Sequence, residues 1–190
     1  MKKYIFFLLF FIASCSFIGA TYNVTSKIGS VVMDERELAD DWNDTKINTA
    51  IRSEFLTTKI NYALDIEITV FEGEVMLNGA IPTIEDIEKI VEIAWKQEGV
   101  TRVYNELRLD IPTSLTQAGQ DAVIASSIRT RLLTTSGITS VNYKITVDNG
   151  KLYMMGIAKN QEEYNAVINI IEKTDGITGI VSHVRLSFEE

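Results

Sequence analysis

The chain has 190 residues, of which 46% are hydrophobic and 23% charged, and its formal net charge is −8. This length accommodates two small domains, and the acidic balance argues against a nucleic-acid-binding protein, which needs a basic surface. A single cysteine and a single histidine exclude an intramolecular disulfide and the usual kind of zinc site, which is built from several such ligands.

The N-terminus is typical of a bacterial export signal. Lys2 and Lys3 precede an apolar run from Tyr4 to Ile12, which is shorter than the roughly 20 residues that a helix needs to cross a bilayer core of about 30 Å. The sequence Ile12-Ala13-Ser14-Cys15 resembles a lipobox, whose cysteine becomes the acylated first residue of a mature lipoprotein. We therefore predict a signal peptide over residues 1–14 and lipidation, including palmitate, at Cys15. The alternative is an ordinary signal peptide that contains a cysteine by chance.

Residues 15–43 are predicted to comprise the lipidated cysteine and a tether, in which Asp34–Asp41 is a candidate short acidic helix. Ser16 follows the cysteine, and the absence of Asp at that position favours the outer membrane over the inner membrane. Acyl chains contribute about 0.8 kcal/mol per buried CH₂, so this anchor would be stable without a transmembrane helix.

The rest of the sequence is an internal repeat with a period of 77 residues and no gap, in which Asp44 aligns with Asp121. A repeat of this kind indicates one structural unit used twice. We place the first domain at residues 44–110, a linker at 111–120 and the second domain at 121–188.

The first domain begins with an expected helix. Asp44 is the predicted N-cap of this helix, whose apolar residues recur at helical spacing. Ile66–Val70 alternates as a strand, and Glu72-Gly73 turns it back into a second strand, Val75–Gly79. An approximate capping box that begins at Thr83 starts a second helix.

The domain closes with a third strand, and the second copy repeats the order. The second helix is predicted to end at Gly99, and Val100–Leu109 alternates again. In the second copy, Asp121 and Asn160 are predicted helix caps, and Asn149-Gly150 is a hairpin turn. The predicted fold is α+β: two tandem α-β-β-α-β domains, each a three-stranded sheet with two helices packed on one face.

These repeats resemble the BON family (bacterial OsmY and nodulation domain). The resemblance rests on the hairpin ITVFEGEVMLNG at residues 68–79 and its copy ITVDNGKLYMMG at 145–156. Each is followed by a helix that ends in glycine and by a final strand. In the final strand of the second copy, Ser182 replaces the Asn that is usual in the family. With the lipobox, the chain is similar to dual-BON outer-membrane lipoproteins. The resemblance implies phospholipid binding and support of envelope integrity without catalysis, and a lipid-facing surface around the first helix of the second repeat.

Charge distinguishes the two repeats. Residues 44–110 hold seven basic and thirteen acidic side chains, whereas residues 121–187 hold seven and six. Between residues 122 and 161 five cations accompany only Asp148: Arg129, Arg131, Lys144, Lys151 and Lys159. Anionic headgroups attract each such cation near the surface by about 1 kcal/mol, so the second domain is predicted to face the membrane.

The candidate phospholipid contact is the first helix of the second repeat with the turn after it. Ile124, Ile128 and Leu132 align on one face and are expected in the core, so Val123 and Leu133 fall on the surface. The predicted phospholipid-binding residues are Val123, Arg129, Arg131, Leu133 and Ile138, with Ile138 expected to be exposed. The alternative is that the apolar residues form the edge of the core and the arginines a solvated face.

Other residues that carry chemistry have structural explanations. His183 is expected to be a satisfied or solvent-facing strand histidine, and Trp42 and Trp95 are expected in the core. An acidic helical face is predicted to be solvated, with a divalent-ion patch as the alternative; it comprises Glu85, Asp86, Glu88 and Glu92. No catalytic residue, metal site or cofactor is predicted.

The leading hypothesis is therefore a non-enzymatic, lipid-anchored protein of the outer membrane that faces the periplasm and binds anionic phospholipid. A second hypothesis is a protein-interaction module, in which the acidic first repeat with Trp42, Tyr62 and Phe71 binds an outer-membrane assembly or cell-wall partner. A third is a periplasmic chaperone, against which Cys15 argues.

Overall fold

The structure is a computed structural model that describes residues 35–58 and 64–187, with side chains from residue 42 onward. The first repeat contains α1 (Glu35–Thr57), β1 (Ile66–Phe71), β2 (Glu74–Ile81), α2 (Ile84–Trp95) and β3 (Arg102–Leu109). The second contains α3 (Leu115–Thr134), a 3-10 turn (Ser140–Asn142), β4 (Tyr143–Asp148), β5 (Lys151–Ala158), α4 (Gln161–Glu172) and β6 (Gly179–Leu186). The predicted order α-β-β-α-β is confirmed in both repeats. The predicted signal peptide, Cys15 and Tyr62 lie outside the described residues.

Each repeat folds into a three-stranded sheet with the same pairing. In the first, β1 is antiparallel to β2, with Ile68 opposite Leu77, and β2 is parallel to β3. In the second, Ile145 lies opposite Met154 in the antiparallel pair β4–β5, and β5 is parallel to β6. Ile145 and Met154 lie 77 residues after Ile68 and Leu77, respectively, so the strands of the two sheets pair in the same register.

Two helices cover one face of each sheet and form a core with it. The first core unites α1, α2 and the inward side chains of its sheet, and its buried members include Ile51, Phe55, Leu77 and Ile90. The second core is built in the same way and includes Ile128, Leu132, Leu152, Met154, Val167 and Ile171. The predicted packing of two helices on one sheet face is therefore confirmed.

The two repeat-equivalent aspartates hold hairpin turns and do not cap helices, contrary to the sequence prediction. The Asp44 carboxylate accepts hydrogen bonds from the backbone N–H groups of Glu72 (2.8 Å) and Gly73 (2.9 Å). Asp121 does the same for Asn149 (2.8 Å) and Gly150 (3.0 Å). Both aspartates lie inside longer helices, α1 and α3, so their carboxylates are directed at the sheet.

The other helix caps follow the sequence more closely. Thr83 and Asn160 accept N-terminal backbone hydrogen bonds of α2 and α4, as predicted. The α3 helix begins at Leu115, and the side chain of Ser114 caps it by accepting a hydrogen bond from the backbone N–H of Gln117. The second half of the predicted linker is therefore helical. Trp42 and Trp95 were expected in the core but are 63% and 50% exposed.

The open faces of the two sheets, which carry no helices, pack against each other. Met76 from the first sheet and Tyr153 and Met155 from the second are buried together, with Phe71 and Tyr104 against them. Apolar side chains therefore occupy both faces of the central strands, and the two repeats share an interface in addition to their separate cores.

Polar and charged side-chain pairs surround this apolar centre. Arg108 Nη2 lies 2.7 Å from Asp148 Oδ2, and His183 Nε2 lies 2.9 Å from Glu106 Oε1. Arg185 Nη2 lies 2.6 Å from Glu72 Oε2, and the His183 ring stacks on Tyr104 with 3.9 Å between centroids. The histidine is thus a satisfied strand residue at the junction of the repeats.

Candidate functional site

The outward surface of α3 is long, exposed and nearly free of charge. Leu115 is 92% exposed, Val123 70% and Leu133 72%. The other exposed residues of α3 are small or hydroxyl-bearing, apart from Gln120 and the one charged residue, Arg129: Thr116, Ala118, Gly119, Gln120, Ala122, Ser126, Ser127, Arg129, Thr130 and Thr134. We call the exposed uncharged residues of α3 the α3 outer face.

The exposure of Val123 and Leu133 follows from the way α3 is oriented on its sheet. Ala125, Ile128 and Leu132 are buried and turn one side of the helix to the core. Val123 and Leu133 lie away from that side, and their exposure excludes the alternative in which they form the edge of the core.

The equivalent face of α1 in the first repeat has a different character. Lys46 stands at the position of Val123, and Glu54 at the position of Arg131. Leu56, the equivalent of Leu133, is likewise exposed. The repeats thus share one exposed leucine, whereas valine and arginine in the second repeat stand where the first has lysine and glutamate.

Arg129 is engaged in the fold. Its guanidinium donates a hydrogen bond to the backbone carbonyl of Ile145 on the edge strand β4. In the first repeat Asn48 Nδ2 donates to the equivalent carbonyl of Ile68 at 2.7 Å, and Arg52 Nε donates to Asn48 Oδ1 at 3.0 Å. Because Ala125 replaces Asn48 in the second repeat, Arg129 reaches the strand edge directly.

Arg131 binds the other side of its helix. Its Nη1 donates to the Ile170 carbonyl at 3.2 Å and to the Thr174 hydroxyl at 2.7 Å, at the end of α4. Arg129 points to β4 and Arg131 to α4, so the structure does not bring the two predicted arginines together. Each flanks the α3 outer face and satisfies backbone carbonyls.

Ile138 was expected to be exposed but packs, partly buried, against the second core. The buried carboxylate of Glu163 explains this, because it holds the turn after α3. It accepts hydrogen bonds from the backbone N–H groups of Thr139 (2.7 Å) and Lys159 (2.8 Å). Sequence reasoning missed the exposed Leu115, which was assigned to the linker, and the exposed Val141.

A carboxylate moderates the charge beside Arg129. Although much of the Glu67 side chain is exposed, partial burial of its carboxyl group raises its pKa above the ordinary 4.5, while Arg52 and Arg129 act to lower it. Glu67, Arg129 and Lys144 line a groove of about 370 Å³. The predicted basic island is further dispersed because Lys151 Nζ lies over the Tyr153 ring, 5.3 Å from its centroid.

No helix in residues 35–58 and 64–187 combines the length and hydrophobicity needed to cross a bilayer. In the same ranges, no three His, Cys, Asp or Glu side chains converge as metal ligands. The α3 outer face is the candidate functional surface because its aliphatic side chains Leu115, Val123 and Leu133 are exposed and α3 carries little charge.

Comparison with known proteins gives a family match over both repeats. The BON-domain family model matches residues 43–110 and 120–187. A protein from Anaplasma centrale, described as an uncharacterized protein in the gshII 5' region, is 37% identical over 122 residues, which cover 64% of this chain and 81% of that protein.

Two further relatives have functional names. A 21 kDa hemolysin from Actinobacillus pleuropneumoniae is 27% identical over 145 residues, or 65% of this chain and 75% of the hemolysin. The outer membrane lipoprotein DolP from Haemophilus influenzae is 22% identical over 175 residues, or 86% of this chain and 90% of DolP.

Proposed function

The chain belongs to the BON-domain family, and we propose on that basis that it is a non-enzymatic envelope protein that binds anionic phospholipid through the α3 outer face. Its location would be the outer membrane, with acylated Cys15 as the anchor and both repeats in the periplasm. The likeness to the outer membrane lipoprotein DolP, over most of both chains, supports this location. The cellular role that follows is support of outer-membrane integrity.

The observation that carries the proposal is the scarcity of charge on an exposed 20-residue helix. Charged side chains resist transfer into a membrane interface, whereas small, hydroxyl and aliphatic side chains are tolerated there. Leu115, Val123 and Leu133 are the side chains that would enter the headgroup region. The helices of the first repeat have charged residues at several exposed positions, as at Lys46 and Glu54.

The size of this surface predicts weak binding. Complete burial of a valine or leucine contributes about 1.5–3 kcal/mol, and association and side-chain ordering oppose a large part of such a gain. A few aliphatic side chains therefore give modest affinity alone. An acyl anchor would make the contact intramolecular and raise its effective concentration.

Cations beside the α3 outer face would select anionic surfaces. Arg129 and Arg131 flank the face, and Lys159 is exposed in the same repeat. Because Arg129 and Arg131 also hold backbone carbonyls, they would act as fixed charges near the membrane. Long-range attraction of this kind decreases with salt, over a Debye length of about 8 Å at physiological ionic strength.

Vesicle co-sedimentation tests the proposal. The non-acylated chain from residue 16 would be mixed with neutral vesicles and with vesicles containing anionic phospholipid, at low and high salt. The expected result is sedimentation with anionic vesicles that declines with salt. Absence from both vesicle pellets at low salt would contradict phospholipid binding by the folded domains.

The exposed tryptophans favour a second candidate function, a protein-interaction module in the first repeat. Trp42 and Trp95 are both at least half exposed, and tryptophan is enriched among residues that dominate protein interfaces. An outer-membrane assembly or cell-wall protein would be the partner. Replacement of both tryptophans by alanine would then abolish partner capture and leave vesicle binding intact, which separates the two functions.

A further inference from the structure

The contacts between the open sheet faces follow an approximate two-fold pattern. Arg108 reaches Asp148, and its repeat equivalent Arg185 reaches Glu72, one residue from the equivalent of Asp148. Glu106 and His183 occupy the same position of the two repeats, 77 residues apart, and their side chains pair at 2.9 Å. In a two-fold contact, a residue on the axis meets its own equivalent. The Glu106–His183 pair therefore marks the axis. The same axis defines which side chains would meet if two first repeats, or two second repeats, paired through this face.

Two first repeats would pair poorly through this face. Glu106 would meet a second Glu106 on the axis. Arg108, which now lies 2.7 Å from Asp148, would face Phe71, because Phe71 is the repeat equivalent of Asp148. Two like charges would adjoin in a partly buried site, and each Arg108 would lose the closer carboxylate of Asp148 and keep only its 3.6 Å contact with Asp110.

Two second repeats would also pair poorly. His183 would meet a second His183. Arg185, which now lies 2.6 Å from Glu72 and 3.9 Å from Glu74, would face Asn149 and Lys151 at the equivalent positions. One arginine would lose both acceptors and adjoin a lysine, so this pairing is electrostatically disfavoured.

We propose that the open sheet face of each repeat is a heterotypic recognition surface, which takes the opposite kind of repeat and rejects its own kind. When the intrachain pair opens, the partner of the freed face is the opposite repeat of a second copy of this chain. Each repeat has its own core, and only residues 110–114 connect β3 to α3. Reciprocal exchange between two copies thus requires only the linker to change conformation.

The test uses the full chain with a site-specific protease sequence inserted after Ile111. Unlabelled and ¹⁵N-labelled chains would be purified intact, cleaved, mixed and analysed by native mass spectrometry. The expected species pair one first repeat with one second repeat, including mixed-isotope pairs. Complexes of two first or two second repeats, free halves alone, or heterotypic pairs that never mix isotopes would overturn the proposal.

Variants on the axis provide a sharper test in the same cleaved chain. His183→Glu places a second glutamate opposite Glu106. The affinity between the first and the second repeat should then fall on the order of tenfold or more. Exchange of the two residues (Glu106→His with His183→Glu) should restore affinity, because the pair lies on the axis. Asn165→Asp, which adds a carboxylate at an exposed position of α4, is the control. A double variant no tighter than His183→Glu would contradict the axial assignment.

Discussion

His183 and Glu106 are the same residue position in two copies of one unit, and their side chains meet at 2.9 Å between Nε2 and Oε1. This contact joins the sheet faces that no helix covers and leaves the outer surfaces of the helices for other molecules. The two faces have diverged at the contact, since a carboxylate stands in one and an imidazole in the other. Duplication thus supplied the interface, and divergence supplied its complementary hydrogen-bonding groups.

Asp121→Ala is predicted to destabilise the second repeat by about 3 kcal/mol, because two backbone N–H groups of the hairpin turn lose a charged acceptor. The Asp121 side chain is 2% exposed, so water cannot readily replace it. Urea unfolding measures the loss. Asp175→Ala, at an exposed position, is the control, and an equally small effect of both substitutions would refute the turn-holding role.

Gly156→Ala is predicted to destabilise the protein by about 3 kcal/mol. Gly156 has φ of +145°, and a Cβ atom there would overlap the Asn142 carbonyl oxygen. Gly137 has φ of +89° with open space around it, so Gly137→Ala should cost only about 1 kcal/mol from backbone strain. Thermal unfolding of both variants checks the difference. Similar losses would mean that the close approach at Gly156 is relieved easily.

Glu67→Gln is predicted to stabilise the protein at neutral pH. Folding raises the Glu67 pKa, mainly by burial of its carboxyl group, so the folded state binds the proton more tightly than the unfolded state. This contribution is fully present below the unfolded pKa and is lost as pH rises through the folded pKa. The gain of the variant over the wild type should therefore grow from acid to neutral pH.

Urea unfolding at several pH values measures this trend. Glu88→Gln, which removes an exposed carboxyl group from α2, serves as its control. A variant that loses stability relative to the wild type as pH rises would show that ionised Glu67 is stabilising, through Arg52 and Arg129.

Arg131→Ala is predicted to reduce stability by about 1–2 kcal/mol, because the Ile170 carbonyl and the Thr174 hydroxyl lose their donor. The exposed Lys159, replaced by alanine, should leave the unfolding free energy nearly unchanged. Thermal unfolding compares them. Equal melting temperatures for Arg131→Ala and the wild type would mean that Arg131 serves only as a surface charge.

The sequence predicted the fold well because its signals are local and occur twice. Asn149-Gly150 and Asn160 specify a turn and a helix start within a few residues, and the repeat confirmed the reading. Asp121 was misassigned because a helix-capping aspartate and an aspartate that binds a distant turn have the same local pattern. Its true partners lie 28 and 29 residues away.

The candidate site was only partly predictable for the same physical reason. Helical spacing placed Val123 and Leu133 on the surface correctly. It did not reveal that Arg129 and Arg131 point to different neighbours, β4 and α4, since those contacts depend on tertiary packing. Ile138 was expected on the surface because a turn usually is, yet the buried Glu163 accepts a hydrogen bond from the backbone N–H of Thr139 and holds this turn against the core.

The most direct test of phospholipid binding by the α3 outer face compares two repeat-equivalent leucines. Leu133 and Leu56 are 72% and 67% exposed, so replacement of either by aspartate should leave the fold intact, which circular dichroism would verify. Leu133→Asp is expected to abolish co-sedimentation with anionic vesicles, and Leu56→Asp is expected to bind like the wild type. Equal binding by both variants, or selective loss in Leu56→Asp, would contradict phospholipid binding by the α3 outer face.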